Sequence, residues 1–243
     1  MLKTKKSLGQ HFLKDKNICN KIVNISNLYN KTIIEIGPGK GILTNFIINK
    51  KPKNLILIEK DYELYKFLLK QYENNTNISI FNDDALTFEY LKYKNIILIS
   101  NLPYNISTKL IIKLFKLNNN INELIFMVQK EVADKFNYKL GKVNKYKFMA
   151  YLSSIMKIHF DVSPNVFYPK PKVLSSVVSF KLNSKKKNWT IIENFIDKIF
   201  KNKRKKIHNN LAISKRINKV SSNKRVEELE YNEILELYKF FQS

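Results

Sequence analysis

Cysteine and long apolar segments are nearly absent from this chain of 243 residues. The single cysteine, Cys19, excludes an internal disulfide and fits a reducing compartment. No apolar run approaches the roughly 18–20 residues that a bilayer span needs. The opening residues, MLKTKKSLGQHFL, contain neither an apolar h-region nor a small-residue cleavage site, so we expect no secretory signal. These absences favour a cytoplasmic protein that does not enter a membrane.

Arginine and acidic residues are also scarce. Of 44 basic residues only Arg204, Arg216 and Arg225 are arginine, and 20 acidic residues leave a formal net charge of +24. The abundance of lysine, asparagine and isoleucine is typical of A+T-rich coding bias, which would raise lysine everywhere. Because acidic residues have not risen in parallel, the charge favours a polyanionic partner such as nucleic acid.

Short apolar runs alternate with helical periodicity in the first part of the chain. The runs predict buried strands of a parallel sheet at 32–36, 54–58, 78–81, 95–100 and 123–128. Apolar residues at helical spacing between them are Ile18, Ile22 and Ile25, then Leu64, Leu68 and Tyr72, then Leu110, Leu114 and Leu117. Ser107 or Thr108 is the expected N-cap of the third helix. This alternation predicts a doubly wound α/β sheet.

The pattern changes after about residue 150. Two strand-like runs, 151–160 and 173–182, flank a proline-containing loop and predict an antiparallel hairpin at the sheet edge. Amphipathic stripes follow the charged break at 183–188, and their apolar members are Ile192, Phe195, Ile196, Ile199 and Phe200, then Ile234, Leu237, Tyr238 and Phe241. We therefore expect one domain over 1–183 and a small helical domain over 184–243.

Polar groups follow the first three predicted strands. Gly37, Gly39 and Gly41 form a turn whose G-x-G-x-G spacing differs from the G-x-G-x-x-G of dinucleotide-binding turns. Glu59 ends the second strand, about where an acid meets ribose hydroxyls in such folds. Asp83 and Asp84 follow the third strand, where one of the two carboxylates can accept from an adenine amino group. The pattern predicts a nucleotide site and leaves a dehydrogenase open.

The fourth strand ends in Asn101, Leu102, Pro103 and Tyr104, next to the predicted site. If the ligand is S-adenosylmethionine, an adenine amine can attack its methyl group once two acceptors take the amine hydrogens. The Asn101 side-chain oxygen and the Leu102 carbonyl are such a pair, and Pro103 restricts the backbone that presents the carbonyl. Tyr104 offers a stacking face. Such catalysis rests on orientation and needs no strong base.

Together these segments resemble the ribosomal RNA adenine dimethyltransferases, the KsgA/Dim1 family. The similarity covers KKSLGQHFL (5–13), EIGPGKGILT (35–44), IEKD (58–61), DDAL (83–86), NLPYNIS (101–107), MVQKEVADKF (127–136), FYPKPKVLSSVV (167–178) and FKNKRKKIHNNL (200–211). The resemblance implies a Rossmann-like class I methyltransferase with a mostly parallel seven-stranded sheet, an antiparallel edge hairpin and a small helical C-terminal domain. It also implies S-adenosylmethionine as cofactor and no metal.

The resemblance assigns roles to individual positions. Cofactor contacts would come from Gln10, His11, Leu13, Gly37, Gly39, Glu59, Asp84 and Asn101. Phe167 would form a second aromatic wall that sandwiches the target adenine against Tyr104. The basic run Lys203, Arg204, Lys205 and Lys206, in what resembles the family's basic C-terminal helix, would bind RNA phosphates. The implied substrate is the 3′-terminal stem-loop of small-subunit ribosomal RNA in immature 30S particles, with dimethylation of two adjacent adenines by a monomeric enzyme.

Three positions depart from the family pattern. Leu174 replaces a usual aspartate, His11 replaces the commoner asparagine, and the segment 137–148 is short and poor in glycine. Two rivals share the fold: the large-subunit adenine methyltransferases of macrolide resistance, and a non-catalytic ribosome-assembly factor. The N-terminal motif, MVQKEVADKF and the C-terminal basic motif favour the small-subunit enzyme, and intact Asn101, Tyr104 and Glu59 favour catalysis.

Replacing Lys203, Lys205 and Lys206 by alanine should weaken RNA binding and flatten its dependence on salt. Each phosphate contact contributes about 0.7–0.9 to the slope of log affinity against log salt, so the slope should fall by about two to three. RNA affinity measured over a salt series checks this. An unchanged slope would remove the basic run from the RNA contact.

Overall fold

The protein is described by a computed structural model over residues 9–117, 120–184, 187–211 and 223–242. The strands in these ranges are β1 (Phe12–Leu13), β2 (Thr32–Ile36), β3 (Asn54–Glu59), β4 (Ile78–Asn82), β5 (Ile96–Asn101), β6 (Ile121–Gln129), β7 (Ser154–Val162), β8 (Phe167–Tyr168) and β9 (Ser175–Leu182). The helices are α1 (Lys16–Val23), α2 (Ile42–Ile48), α3 (Tyr62–Gln71), α4 (Ser107–Lys116), α5 (Lys130–Phe136), α6 (Lys145–Ser153), α7 (Trp189–Lys201), α8 (Ile207–Leu211) and α9 (Tyr231–Gln242).

Seven strands form one sheet in the order β4-β3-β2-β5-β6-β9-β7. The five strands from β4 to β6 are parallel, and β9 and β7 add antiparallel at one edge. The chain order reverses between β2 and β5, which makes the gap between their carboxyl ends the topological switch point. The predicted α/β sheet and its edge hairpin are confirmed. The first strand of the hairpin was expected to begin at residue 151. It begins at Ser154 instead, because residues 145–153 form helix α6.

The near-continuous apolar runs of the inner strands arise because both faces of the parallel sheet are covered. The burial predicted for 78–81 is wrong, because β4 lies at the edge of the sheet and its residues are half-buried or exposed. Along β2, Ile33 belongs to one buried cluster and Ile34 to the other, and Leu55 and Ile56 divide in the same way along β3. Successive side chains of a strand point to opposite faces, so each strand supplies both clusters. Helices α1 and α2 cover one face, and α4, α6, α7 and α9 contribute to the cluster on the other.

Capping groups set the start of several helices. The Asp15 carboxylate accepts from the backbone N–H groups of Asn17 and Ile18 at the start of α1, and Asp61 accepts from Glu63 N at the start of α3. The expected N-cap of α4 is wrong. Ile106 holds that position, and the Ser107 hydroxyl donates to the Tyr104 carbonyl at 3.1 Å. The hydroxyl therefore ties α4 to the preceding turn.

A second, two-stranded sheet was not expected from the sequence. Strand β1 pairs antiparallel with β8, so that Phe12 lies opposite Tyr168 and Leu13 opposite Phe167. The Lys14 N–H extends the pairing by donating to the Val166 carbonyl at 2.8 Å. This β1–β8 ribbon joins the N-terminal segment to the loop inside the edge hairpin.

The C-terminal helices α7 and α9 pack on each other and on α6, where the Phe195 ring contacts Phe148 and Tyr238. Ile192, Phe195 and Ile199 of α7 and Leu237 of α9 lie in the same buried cluster as the strand residues of one sheet face. The expected amphipathic stripes are therefore confirmed, while the domain boundary between 183 and 184 stays a prediction. Every helix in the described part of the chain is too short or too polar to cross a membrane.

Replacing Ile199 by alanine should lower the free energy of unfolding by about 2–5 kcal/mol, because it leaves a cavity in the buried cluster to which α7 contributes. Ile155→Ala is the matched control: Ile199 is 0% exposed, whereas Ile155 on the edge strand is 69% exposed. The control should cost less than about 1 kcal/mol. Denaturant unfolding of both variants measures the difference, and equal losses would contradict the packing of α7 described here.

Candidate active site

A cleft of about 1050 Å³, open mouth included, lies at the carboxyl edge of the parallel strands. Its walls come from the ends of β2, β3 and β5, the turn after β4 and residues 9–13. The residues predicted for cofactor binding and catalysis that line it are Gln10, His11, Leu13, Gly37, Gly39, Glu59, Asp84, Asn101, Leu102, Pro103 and Tyr104. The structure thus brings together every predicted site residue of this set, and their individual roles stay predictions.

The glycine turn after β2 lines the cleft through Gly37 and Gly39. Gly39 and Gly41 adopt φ values of 61° and 76°, in the left-handed region that side chains disfavour. A Cβ on Gly41 would lie 2.3 Å from the Tyr72 hydroxyl, and one on Gly39 would lie 2.9 Å from the Phe12 ring. Glycine is therefore needed both for the turn and for the close approach of its neighbours.

Glu59 ties the glycine turn to the end of β3. Its Oε2 accepts from the Gly39 N–H at 3.1 Å, and its Oε1 accepts from the Asp61 N–H at 2.9 Å. Burial raises the pKa of the Glu59 carboxyl, and the hydrogen bonds from Asp61 and Gly39 oppose that rise. Each carboxylate oxygen retains a second lone pair, so the group can also accept from two vicinal hydroxyls in the cleft.

Asp84 is held by a lysine that the sequence analysis did not single out. Lys60 forms an ion pair with Asp84 at 2.8 Å, and the other carboxylate oxygen accepts from the Leu86 N–H at 2.8 Å. Partial burial alone would raise the pKa of Asp84, but the Lys60 ammonium and the Leu86 N–H lower it below its ordinary value. Lys113 fixes the same turn by donating to the carbonyls of Leu86 and Phe88.

The Asn101 amide is oriented by the N-terminal segment. Its Nδ2 donates to the His11 carbonyl at 2.7 Å, which turns Oδ1 the other way as an acceptor. The Leu102 N–H donates to the Met127 carbonyl at 3.0 Å, so β6 holds the backbone beside it. Two acceptors, Asn101 Oδ1 and the Leu102 carbonyl, therefore sit on a rigid corner at the cleft.

The two predicted aromatic walls have different surroundings. Tyr104 lines the cleft, shares a 2.8 Å hydrogen bond with the Ser175 hydroxyl and packs against the His11 ring at 5.2 Å between centroids. Phe167 does not line the cleft; it is 2% exposed and belongs to the buried cluster that contains Leu13. Its predicted role as a second wall requires the ring to be uncovered.

Glu35 is a cleft residue that sequence reasoning missed. It is 2% exposed, and the Thr44 hydroxyl donates to its Oε2 at 2.6 Å. Burial raises the pKa of Glu35 to about 8, and the nearby Glu59 carboxylate adds to the rise. Glu35 is therefore mostly neutral at pH 7, which avoids two repelling carboxylates under the glycine turn. The available signal was an acidic residue inside the apolar strand TIIEI.

The basic run Lys203–Lys206 is not part of a helix, unlike the sequence expectation. Helix α7 ends at Lys201 and α8 begins at Ile207, so the four residues lie exposed in the connecting turn. Lys206 also forms an isolated antiparallel bridge with Arg225. Residues 5–8 of the predicted N-terminal motif lie outside the described residues.

The described ranges contain neither a reactive thiol nor a metal-ligand cluster. Cys19 is fully buried, and burial raises the pKa of its thiol to about 12, so it acts as a core residue. No group of three His, Cys, Asp or Glu side chains in these ranges could hold a metal ion. The lining of the cleft itself includes the carboxylates of Glu59 and Asp84, the Asn101 amide and the Tyr104 ring.

The sheet order, the glycine turn at the switch point and the acidic strand ends define a Rossmann-like methyltransferase fold. Two solved structures share this fold. Their sequence identity to this chain is low, so they support the fold and nothing finer. A dimethyladenosine transferase from Plasmodium falciparum matches with a TM-score of 0.81 and 22% identity, covering 95% of this chain and 97% of that one. The 23S rRNA methyltransferase ErmE matches with a TM-score of 0.78 and 21% identity, covering 96% and 100%.

Sequence comparison narrows the class to a family. The family model described as ribosomal RNA adenine dimethylase matches residues 1–243. A ribosomal RNA small subunit methyltransferase A from Hydrogenobaculum sp. (strain Y04AAS1) is 37% identical over 246 residues, which cover 98% of this chain and 93% of the relative. The chain belongs to the ribosomal RNA adenine dimethylase family.

Replacing Glu35 by glutamine should change how stability depends on pH. The folded state holds the Glu35 proton up to about pH 8, whereas the ordinary pKa is 4.5, so wild type loses stability as pH rises between these values. The loss relative to Glu35→Gln should be at most about 1.4 kcal/mol per pH unit. Denaturant unfolding of both proteins across this range checks it, and parallel profiles would contradict a buried neutral acid.

Proposed function

We propose that this chain transfers methyl groups from S-adenosylmethionine to the exocyclic amines of two adjacent adenines. The substrate would be the 3′-terminal stem-loop of small-subunit ribosomal RNA, during 30S biogenesis in the cytoplasm, with the enzyme acting as a monomer. The observation that carries the proposal is the convergence of Asn101, Leu102 and Tyr104 with Glu59 and Asp84 on one cleft.

The residues present fit the cofactor. Glu59 offers two oxygens to vicinal ribose hydroxyls, and Asp84 offers a carboxylate to an adenine amino group. The turn at Gly37 and Gly39 lets the backbone approach the amino-acid part closely, and Gln10, His11 and Leu13 close the cleft from the N-terminal segment. When bound, S-adenosylmethionine supplies an electrophilic methyl group.

The Asn-Leu-Pro-Tyr corner orients the acceptor amine. Asn101 Oδ1 and the Leu102 carbonyl accept its two hydrogens, which draws the nitrogen away from the planar, delocalised geometry and frees its lone pair for attack. The His11 carbonyl keeps the Asn101 amide in this orientation. Tyr104 lines the cleft beside this corner, and its ring offers a face on which the adenine can stack. Positioning of this kind supplies the catalysis.

The RNA must present an unpaired base. Adenine amines inside a duplex are not accessible, so a loop base or an extruded nucleotide has to enter the cleft. The formal charge of +24 favours a polyanion, and exposed Lys203, Arg204, Lys205 and Lys206 would bind phosphates without reading sequence. Phe167 would join Tyr104 as a second wall once its side chain turns out of the buried cluster toward the cleft.

The proposal is tested with radiolabelled S-adenosylmethionine and 30S particles from a strain that lacks this modification. We expect label on two adjacent adenines near the 3′ end of the small-subunit RNA and none on naked 23S RNA. The curated small-subunit relative, which spans nearly the whole chain, supports this choice over the large-subunit activity. Label on 23S RNA alone would favour the macrolide-resistance reaction, and no transfer to either RNA would favour a non-catalytic assembly role.

Two substitutions should separate cofactor binding from turnover. Glu59→Ala should weaken S-adenosylmethionine binding about 10- to 100-fold, because hydrogen bonds to a charged group contribute about 1.5–3 kcal/mol. Asn101→Ala should mainly slow methyl transfer, by about 100-fold, through loss of an orienting acceptor. Calorimetric binding and single-turnover transfer measure the two effects. The exposed Asn165→Ala serves as a control and should change neither; unchanged cofactor affinity in Glu59→Ala would contradict the proposed site.

A further inference from the structure

The β1–β8 ribbon has an inner and an outer face. Side chains on opposite partners of an antiparallel pair point to the same face, and neighbours along a strand alternate. Leu13 and Phe167, which pair with each other, are 5% and 2% exposed and fill the core. Phe12 and Tyr168, the other pair, lie on the opposite face, where Phe12 lines the cleft and Tyr168 is 63% exposed. The ribbon therefore presents two aromatic rings on its outer face, and one of them, Phe12, lines the cleft.

Each of these rings has a lysine ammonium group over it. Lys14 Nζ lies 5.7 Å from the centroid of the Tyr168 ring, and Lys40 Nζ lies 5.4 Å from that of Phe12. Lys170, which follows Tyr168 in the same loop, is also exposed. Exposed aromatic faces interleaved with cations are the arrangement that binds single-stranded nucleic acid, since the rings stack on bases and the cations meet phosphates.

The loop that carries Tyr168 is joined directly to the catalytic corner. The His11 Nδ1–H donates to the Pro169 carbonyl at 2.7 Å, and the His11 ring packs against Tyr104. The His11 carbonyl accepts from Asn101 in turn. One histidine thus links the residue after Tyr168 to the two side chains that would hold the target adenine, so the backbone that carries the Tyr168 ring is tied to that corner.

We propose that Tyr168 is a stacking platform for the RNA base next to the target adenine, with Lys14 contacting the adjoining phosphate. The inference rests on the proposed function and names the residue that holds the second nucleotide of the substrate. Core packing does not account for the Tyr168 ring, because the neighbouring Phe167 is the residue of β8 that fills the inner face of the ribbon. The exposed Tyr168 ring lies among lysines and is linked to the corner formed by Asn101 and Tyr104, which would hold the target adenine. It can therefore stack on the neighbouring base of the same RNA strand.

The platform is tested with a hairpin RNA whose loop carries two adjacent adenines. The adenine next to the target is replaced by the fluorescent analogue 2-aminopurine. Stacking on the tyrosine ring quenches its fluorescence. Wild type and Tyr168→Phe should quench it, whereas Tyr168→Ala should restore most of the signal. Tyr168→Ala should also bind the RNA about 5- to 150-fold more weakly, the range for loss of one stacked base. Its affinity for S-adenosylmethionine should match wild type, which confirms that the cleft is intact.

Tyr29→Ala is the matched control, since Tyr29 and Tyr168 are both 63% exposed. It should leave quenching and RNA affinity unchanged. Equal quenching by Tyr168→Ala and wild type would overturn the platform, and so would an equal loss in Tyr29→Ala. The quenching measurement requires no methyl transfer, so it reports base stacking on Tyr168 independently of the reaction. A wild-type enzyme that quenches but leaves 30S particles unlabelled would contradict the proposed function alone.

Discussion

The hydrogen bond from the Gly39 N–H to the buried Glu59 carboxylate is the contact on which the site depends. It joins the turn after β2 to the end of β3, so that one acidic side chain both fixes the glycine turn of the cleft and faces its interior. Taking a carboxylate out of water is costly unless donors surround it, and here backbone N–H groups supply them. The nearby Glu35 stays mostly protonated at neutral pH, so no second negative charge lies close to Glu59. Backbone N–H groups and a protonated neighbour thus offset the cost of burying Glu59 at the cleft.

The parallel sheet explains why the functional groups meet. Four neighbouring strands, β2 to β5, end at the same edge, and each end is followed by a turn or residue that the cleft uses. Segments distant in the chain then complete the site. The β1–β8 ribbon brings His11 onto Tyr104 and against the Asn101 amide, so the N-terminal segment orients the groups that would hold the target base. The ends of the sheet strands position the polar groups of the site, and the N-terminal segment that leads into the ribbon lines the cleft beside them.

Local sequence patterns were sufficient for the elements whose signal is local. Buried strands read as apolar runs, the glycine turn as spacing, and the Asn101–Tyr104 corner as an amide followed by proline. The two-residue strands of the ribbon have no periodicity and pair residues more than 150 positions apart, so nothing local predicts them. For the same reason the burial of Phe167 and the exposure of Tyr168 could not be read from adjacent aromatic letters. The protonation of Glu35 also depends on tertiary burial, which follows only from the fold.

The most direct measurement is a crystal structure of the protein with S-adenosylhomocysteine, the demethylated form of the proposed cofactor. We expect the ribose hydroxyls on Glu59, the adenine beside Asp84 and the sulfur directed at the corner formed by Asn101 and Tyr104. Density for the ligand outside this cleft, or a bound ligand whose sulfur points away from that corner, would contradict the arrangement from which the chemistry was inferred.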